Sequence, residues 1–535
     1  MNLQYSFYQD TSVNGGFGAP QRPTHLPQFY GTLSLRHKSG LTLPITLNLN
    51  PLIQVQGAIN TPMEGPKSVN ILEYLSHPTN RIYINPTYKK TKLHAGHFVN
   101  VYSNLTAGDI KVFGLGVDHT QGQNLYRFQH GIIQPRVQNV LFNFNNGNYR
   151  RTLTAAKFSR NHSKKLQYGA SIALARDQEN SLEEAPVFRT PQKSAVLSLE
   201  SKYSFNKTSF AQIEIANSAW SPNSTLGDSS RPFALPQFLI PGTSTLSGTA
   251  FSVNGRHKIK EVTVDGLIRY KTKDYRTLAY PYMQSDLFEM EFSPRFVAFK
   301  KKLQTRATFG YKTSNVSKQA GSSLRISYLK LSSVYKLNKK IQTSIVYAFN
   351  AVGSSPDSIR PSVKTSNHVI RLTPTYHFKK WGFNNTAGII LGGNRYINSS
   401  DAFATPITMS TRNLGLLFRS TYKKHSAGVS LNSLNTRVNG NGQLSYKSLM
   451  INAQTKLLKD QLVPFIRVSL TNSRNIALSV KTGSKRVLQV GSRYNISKKM
   501  NATIGLSFQN HKQGTGSNAP GYREFLGQLG LNYRL

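Results

Sequence analysis

A tight, usually lysine-bearing turn recurs twelve times along this chain, and most of these turns follow a β-like stretch that ends in an aromatic residue. Clear examples are the aromatic-Lys-Lys sequences at residues 88–90, 299–301 and 422–424. From about residue 160 the turns recur roughly every 35–50 residues, the length of two strands and one long loop. Hairpins with short turns at one end and long loops at the other are typical of a transmembrane β-barrel.

The stretches between turns alternate apolar and polar residues, as strands with two different faces do. In segment 502–508, Ile504, Leu506 and Phe508 fall on one face, and Thr503 and Ser507 fall on the other. Aromatic residues close the apolar face beside the turns, where the interfacial girdle of a barrel belongs. We predict a girdle formed by Tyr88, Phe205, Phe299, Tyr335, Phe378, Tyr422 and Tyr494.

The spacing of the turns predicts the size of the barrel. They fall near residues 38, 90, 122, 162, 206, 258, 301, 338, 380, 423, 458 and 498. Two strands between neighbouring turns predict one antiparallel barrel of about 22–26 strands over residues 1–535, with short periplasmic turns and long external loops. Residues 1–80 are the least regular part, and we expect them to include loop or lumen-filling segments.

The hydrophobic fraction of 38% fits this fold, because only every second strand residue of a barrel must be apolar. No apolar run approaches the roughly 18 residues of a spanning helix. The chain contains no cysteine, which fits an oxidising compartment. Residues 1–10 show no export signal, and we expect that such a signal was removed.

The chain ends in an alternating strand. Phe525, Leu529, Leu531, Tyr533 and Leu535 share one face of it. This end resembles the terminal strand of bacterial outer-membrane barrels, which the insertion machinery recognises. The resemblance implies that Tyr533 and Leu535 belong to an insertion signal, although the usual final residue there is Phe.

The formal net charge of +45 raises the question of a nucleic-acid partner. Basic residues are spread over strands and turns along the whole length rather than grouped into a patch or a recognition helix, so we predict no nucleic-acid binding. Anionic lipid headgroups, lipopolysaccharide phosphates and acidic solutes are the partners that this charge favours.

Two blocks in the first third of the chain carry a family resemblance. Residues 80–134 contain an aromatic-Lys turn, a His/Gly strand, a short loop at 103–108 and a Gly-x-Gly strand with Gly114 and Gly116. Residues 28–48 form the second block. Both resemble a family of large outer-membrane proteins of Bacteroidota, whose members are mostly unassigned in function. The resemblance implies the bacterial outer membrane and the barrel architecture rather than an activity.

Arginines inside the strands are the most informative charges. Because an arginine facing lipid near the bilayer middle costs roughly 2–4 kcal/mol, we expect strand arginines to face the lumen. One hypothesis is an arginine–carboxylate lattice that stiffens the wall with Glu200, Glu214 and Asp265, and the other is an anion-attracting constriction. The predicted basic band consists of Arg295, Arg306, Arg325, Arg371, Arg419, Arg467 and Arg493.

No pattern of catalytic residues, phosphate loop or metal-ligand spacing is present, so we predict that the chain is not an enzyme and holds no cofactor or metal. The histidines at 94, 97, 119 and 130 are interpreted as polar wall or loop residues, with a metal site as the alternative. The acidic cluster of Asp177, Glu179, Glu183 and Glu184 is interpreted as a solvated external loop.

Two roles fit these observations. The favoured prediction is a structural or accessory subunit of an outer-membrane complex, whose lumen is filled by loops such as 49–80 and 218–245. Its partners would be outer-membrane lipid, lipopolysaccharide and other outer-membrane or periplasmic proteins. The alternative is a passive, porin-like channel for anionic solutes.

Overall fold

The lysine-bearing turns join consecutive strands in a computed structural model of the chain. Several of these turns have left-handed backbone, which is uncommon outside glycine but is required by the tightest hairpins. Trp381 and Gly382 both have positive φ, at 51° and 78°, as a type I′ turn demands. Lys89 and Lys423 have φ values of 51° and 46°. The turn positions predicted from the sequence are therefore confirmed for the described residues.

The structure describes residues 2–12, 25–49, 75, 80–108, 110–136, 140–141, 144–145, 147–182, 186, 189–226, 236, 239–240, 242–280, 282–356, 361–403, 405–439, 442–476, 480–497, 500–513 and 522–533. A single turn of 3-10 helix occupies Glu179–Ser181. Among the described residues, no helix is long and apolar enough to cross a membrane.

The strands in chain order are β1 Asn2–Ser12, β2 His25–Arg36, β3 Thr42–Leu49, β4 Arg81–Ile84, β5 Thr87–Tyr88, β6 Thr91–Val99, β7 Lys111–Gln121, β8 Asn124–Gln134, β9 Val140–Leu141, β10 Phe144–Asn145, β11 Arg151–Asn161, β12 Leu166–Asp177, β13 Lys193–Asn206, β14 Ser209–Ser221, β15 Leu246–Ile259, β16 Val262–Lys271, β17 Leu287–Ala298, β18 Leu303–Ser314, β19 Leu324–Lys336, β20 Ile341–Ser354, β21 Lys364–Lys380, β22 Phe383–Asn398, β23 Ile407–Tyr422, β24 His425–Val438, β25 Gly442–Thr455, β26 Leu462–Asn475, β27 Val480–Asn495, β28 Met500–Gln513 and β29 Tyr522–Tyr533.

Of these described strands, 27 belong to one sheet, and β9 pairs only with β10. Strands β4 and β5 take the same place in the sheet, because both pair with β3 on one side and with β6 on the other. Pro86 lies between them and has no N–H to donate to a ladder. With β4 and β5 counted as one, 27 − 1 gives 26 antiparallel strands, which confirms the predicted range.

The first and last strands pair with each other. The β1–β29 register runs from Asn2↔Asn532 to Ser12↔Tyr522. A sheet whose first strand pairs with its last has no free edge, which is the defining property of a barrel. The predicted fold class, an all-β transmembrane barrel, is therefore confirmed.

The chain divides into two compact units. Unit 1 comprises Met1–Tyr30, Ser293–Gly310 and Arg325–Leu535, and unit 2 comprises Gly31–Phe292 and Tyr311–Leu324. In unit 1, strands β20 to β29 form an uninterrupted series of antiparallel neighbours, mostly 14 to 17 residues long.

Each strand of unit 1 has an outer and an inner face. We define the outer face by its exposed large apolar side chains, such as Leu414, Leu416 and Phe418 of β23. Gly415 and Leu417 alternate with them and define the inner face. The outer face is the one that meets lipid in a barrel of this class.

In unit 2 the same alternation holds, but the inner face is buried. Leu199, Ile213 and Ile215 are exposed on the outer face, whereas Glu214 and Ala216 between and beside them are almost fully buried. The hydrophobic core of unit 2 therefore lies against the inner face of its strands.

The face assignment of β23 can be tested with one pair of substitutions. Leu416→Arg places a charge on the outer face near the middle of the strand, and we expect it to lower the free energy of unfolding by roughly 2–4 kcal/mol. Leu417→Arg, the matched control on the inner face, should cost much less. Urea unfolding in lipid vesicles, followed by heat-modifiable gel migration, measures both. Equal losses for the two variants would contradict the assignment.

Candidate functional site

Small side chains line the inner face of strands β11 to β15 in unit 2. Ala155, Ala173, Ala216 and Ala250 are at most 1% exposed, although each stands on a strand of the barrel wall. Because the alanine side chain is small, another segment of the chain can pack close to the strand backbone. Two loops use this space, residues 100–108 between β6 and β7 and residues 272–280 after β16, which we name the inner plug.

The first loop of the inner plug is organised by Ser103. The Oγ atom of Ser103 accepts hydrogen bonds from the backbone N–H groups of Leu105 (3.2 Å) and Thr106 (2.9 Å), and it lies 2.6 Å from Thr106 Oγ1. This is the local side-chain-to-backbone bonding by which serine stabilises turns. Gly108 ends the loop, and a Cβ atom there would lie 3.1 Å from the ring of Tyr280 in the second loop.

Polar groups of the wall bind the first loop. The Leu105 N–H donates to Glu214 Oε1 at 3.2 Å, and Lys157 Nζ donates to the carbonyl oxygen of Tyr102 at 2.5 Å. Thr106 Oγ1 lies 3.4 Å from the Oγ atom of Ser171. A buried loop must find partners for its backbone polar groups, and these side chains supply them.

The second loop covers the first. Tyr275 donates its hydroxyl proton to the carbonyl oxygen of Leu105 at 2.6 Å, and Thr277 Oγ1 donates to the carbonyl oxygen of Thr106 at 3.2 Å. Leu105 and Tyr275 are both fully buried and pack in the same apolar cluster. The two loops therefore form one packed unit, although 170 residues separate the two bonded residues.

The second loop is also bound to the wall. The N–H of Leu278 donates to Ser194 Oγ at 3.0 Å, and the N–H of Arg276 donates to Ser218 Oγ at 3.1 Å. A Cβ atom on Gly248 would lie 2.1 Å from the backbone nitrogen of Tyr275. Glycine is thus required at position 248 because the loop backbone passes directly over the strand.

Charged side chains form a paired network beside the inner plug. Arg127 binds Asp118 at 2.8 Å and donates from Nη1 to the carbonyl oxygen of Val101 at 2.8 Å. Lys157 pairs with Glu200 at 2.5 Å. These wall charges are satisfied by one another and by the plug backbone, so they bind the plug to the wall.

Burial keeps the plug tyrosines neutral. Burial raises the pKa of Tyr275 well above its ordinary value, and nearby Glu214 raises it further. Burial also raises the pKa of Tyr102. The Tyr275 hydroxyl therefore remains a hydrogen-bond donor to Leu105 even in alkaline solution.

The predicted basic band is placed by the strand alternation. Arg371, Arg419, Arg467 and Arg493 lie on the inner face of unit 1 and are exposed. Arg295 and Arg306 also lie on the face of their strands that is opposite to the exposed apolar residues, Phe296 in the strand of Arg295 and Phe309 in the strand of Arg306. Arg325 does not follow this pattern. It lies on the same face of its strand as the apolar Leu329 and Leu331, because the three positions are separated by even numbers of residues.

The carboxylates proposed as partners of that band have other partners. Glu200 binds Lys157, Glu214 binds the backbone of Leu105, and Asp265 binds Arg256. None of the seven arginines has an ion pair within 4.0 Å among the described residues. The lattice hypothesis therefore gains no support from these three carboxylates.

The predicted girdle residues lie at strand ends or in the adjoining turns. Tyr88, Phe205, Phe299, Tyr335 and Tyr494 are exposed. Phe378 and Tyr422 are half-buried, with Phe378 stacked on Tyr376 and Tyr422 against Phe383. For the predicted insertion signal, Tyr533 is the last residue of β29, and Leu535 lies outside the described residues.

Each of the four histidines considered as metal ligands contacts a different partner. His94 lies 3.4 Å from Asp118, His97 accepts from the N–H of Ile82, His119 lies 2.8 Å from Thr91 and His130 lies 2.8 Å from Thr154. The described part of the chain contains no group of three or more His, Cys, Asp or Glu residues that could hold a metal ion.

The described members of the predicted acidic cluster bind different partners. Asp177 pairs with Arg151 at 2.7 Å, and Glu179 accepts from Ser224 at 2.7 Å. Glu183 and Glu184 lie outside the described residues.

The loops expected to fill the lumen are not the ones that form the inner plug. Most of 49–80 lies outside the described residues. Within 218–245, Ile240 packs against Ala195 and Ala219, which lie on the face opposite to the plug-contacting Val196 and Ser218. The sequence did carry a signal for the plug, because Ala and Ser recur at inner positions of β11 to β15, next to the charged Lys157, Glu200 and Glu214.

Comparisons with known proteins give fold-level likeness. No protein-family model and no curated protein matches the chain. Among solved structures, the P pilus usher (PapC) translocation pore has a TM-score of 0.38 and 10% identity, over 99% of this chain and 98% of that chain. OpdK of Pseudomonas aeruginosa with vanillate has a TM-score of 0.31 and 11% identity, over 70% of this chain and 97% of that chain. OmpT of Vibrio cholerae has a TM-score of 0.29 and 9% identity, over 64% of this chain and 97% of that chain.

These TM-scores and identities assign no family, ligand or role to this chain. The predicted location in the bacterial outer membrane follows from the transmembrane β-barrel fold itself.

Tyr275→Phe tests the inner plug. Loss of the hydroxyl leaves the buried carbonyl oxygen of Leu105 without its donor, so we expect the free energy of unfolding to fall by about 1–3 kcal/mol. Tyr282→Phe is the matched control, because Tyr282 belongs to the same connection but is 92% exposed, and it should change stability by less than about 0.5 kcal/mol. Hydrogen exchange at the Leu105 amide should accelerate only in the first variant. Equal behaviour of the two would contradict the bonding described here.

Proposed function

We propose that the protein is a structural or accessory subunit of an outer-membrane complex, in which the inner plug permanently fills the inner face of unit 2. The observation that carries this proposal is the bonding of the two plug loops to each other through Tyr275 and Leu105. A loop that gates a channel must leave its place, whereas each loop of this plug is held both by the wall and by the other loop.

The energetics support a permanent plug. Opening it would expose Leu105, Tyr275 and the alanine wall to water, and would leave the Lys157–Glu200 pair without the adjoining backbone acceptor on Tyr102. Burying a side chain the size of leucine is worth about 1.5–3 kcal/mol, and each buried polar group left unpaired costs about 1–3 kcal/mol. Several such terms together make spontaneous opening rare.

The finer assignments belong to the same proposal. Membership in the Bacteroidota outer-membrane family is supported by residues 28–48 and 80–134, and the second block includes the first plug loop. Partners in the outer membrane or periplasm would bind the outside of the barrel or its long loops, because the inner face of unit 2 is occupied. The proposal includes no enzymatic activity and no cofactor.

Single-channel recording of the purified full chain in planar bilayers tests the proposal. We expect currents that are small or absent, since the plug loops are packed and bonded. Replacing residues 103–107 with Gly and Ser should raise the conductance, because the Ser103 turn, the Leu105 anchor and the Glu214 bond are lost together. Residues 318–322, a mostly exposed stretch of equal length within the connection between β18 and β19, supply the control replacement.

Steady, large currents from the unchanged protein would overturn the proposal. Chemical cross-linking in whole cells complements the recordings, because a subunit should capture the same outer-membrane or periplasmic proteins repeatedly.

The second candidate function is a channel for anionic solutes. The observation that favours it is the inner face of unit 1, where Arg371, Arg419, Arg467 and Arg493 are exposed. Their cross-strand neighbours include Gly392, Thr386, Asn452 and Thr503, and none of the positions paired with these four arginines is a carboxylate. Exposed, uncompensated arginines attract anions.

The double variant Arg371→Gln and Arg419→Gln separates the two hypotheses for the band. A channel lined by these arginines should lose anion preference in reversal-potential measurements and keep its thermal stability. A stiffening lattice should instead lose stability, and the thermal unfolding midpoint measures this. Lys300→Gln with Lys423→Gln removes the same charge from the turns and controls for net charge. No change in either measurement would reject both hypotheses.

A further inference from the structure

The outer face of unit 1 carries a second set of basic side chains. They are exposed, and they lie in the half of each strand away from the lysine turns. We name this set the outer basic row, and it consists of Arg395, Arg412, Arg437, Lys447, Arg486 and Lys512.

Strand alternation and register place the row on the outer face. Arg412 is two residues from the exposed Leu414, and Arg486 is two residues from the exposed Leu488. Arg486 also pairs across strands with Leu470, itself an exposed outer residue. The row therefore borders the apolar band that meets lipid rather than the interior.

The height of the row is fixed by the ends of the strands. Arg437 is the penultimate residue of β24, which begins beside the lysine turn at 423–424. Arg395 lies three positions before the end of β22, which begins beside the turn at 381–382. These ends lead into the longer connections, so the row lies at the external boundary of the membrane.

The cross-strand neighbours of the row include no carboxylate. Ser410 pairs with both Arg395 and Arg437, and Asn510 pairs with Arg486. The remaining cross-strand partners of the row are Gly, Ser, Asn and Leu residues, together with His368 opposite Arg395 and Gln443 opposite Arg437. Serine and asparagine can donate hydrogen bonds to an anion but do not neutralise a cation.

The acidic residues of these strands and their connections do not neutralise the outer basic row. Over residues 364–533 the chain contains only Asp401, Asp460 and Glu524. Asp460 pairs with Lys424 at the lysine-turn end, and Asp401 accepts from Ser362. Glu524 pairs with Gln509, which alternates with the outer residue Phe508, so Glu524 lies on the inner face.

We propose that the outer basic row binds the phosphate groups of a phosphorylated glycolipid of the lipid A class in the outer leaflet. Arginine presents a fork of donors that matches phosphate oxygens, and the bordering apolar side chains would contact the acyl chains. Adjacent strands are about 4.8 Å apart, so basic residues from neighbouring strands can hold one headgroup that carries two phosphates. This inference does not depend on the proposed function.

The test uses the full chain in detergent micelles with purified lipid A as the probe. The outer variant carries Arg412→Gln, Arg437→Gln and Arg486→Gln. The matched control carries Arg371→Gln, Arg419→Gln and Arg467→Gln, which remove the same charge from the inner face of unit 1. Lipid retention is measured by native mass spectrometry, and folding is checked by heat-modifiable gel migration. Lipid A without phosphates and phosphatidylglycerol serve as comparison lipids.

Each basic residue near an anionic lipid surface strengthens binding about fivefold, so the outer variant should bind lipid A at least about tenfold more weakly. The control should change by less than about twofold. The unchanged protein should prefer lipid A to both comparison lipids. If the triple variant does not fold, the single variants Arg412→Gln and Arg419→Gln are compared in the same way.

Three results would overturn the proposal. Equal losses in the two variants would show a response to net charge only. Undiminished binding by the outer variant would remove the row from the site. Equal binding of phosphatidylglycerol would show a surface for anionic phospholipid in general rather than a glycolipid site.

Discussion

Backbone hydrogen bonding is the constraint on which the rest of this structure depends. Hydrocarbon offers no partners to peptide N–H and C=O groups, so a sheet that crosses a membrane must satisfy all of them between its own strands. The pairing of β1 with β29 removes the edge at which unpaired groups would otherwise remain. Once every strand has two neighbours, successive side chains must point alternately to lipid and to the interior.

That alternation assigns the basic residues to places with different chemistry. Turn lysines such as Lys423 are exposed beside aromatic rings, with Lys423 Nζ 5.2 Å from the centre of the Tyr422 ring. Inner arginines such as Arg419 stand one residue away from the outer apolar Phe418. Outer residues such as Arg412 belong to the membrane boundary. A net charge of +45 is therefore a sum of separate surfaces rather than one basic patch.

The sequence predicted what depends on short-range pattern. The turns at 88–90 and 422–424, the strand number and the two faces all follow from period-2 alternation and turn composition, which act over a few residues. The contact between Leu105 and Tyr275 could not be predicted in this way, because it joins positions 170 residues apart. Alternation also left the inner face of unit 2 ambiguous, since it separates apolar from polar positions but does not show that alanine and serine there make room for loops.

The contrast between the two inner faces bears directly on function. Ala155 and Ala216 in unit 2 contribute little side-chain volume, and buried loop residues with bonded backbones occupy the space above them. Arg371 and Arg467 in unit 1 are large, charged and exposed. An alanine wall has a physical advantage only where another segment packs on it, because exposed alanine neither attracts solutes nor stiffens a strand. The composition of the inner positions, rather than the strand number, therefore distinguishes the packed wall of unit 2 from the exposed arginine-bearing wall of unit 1.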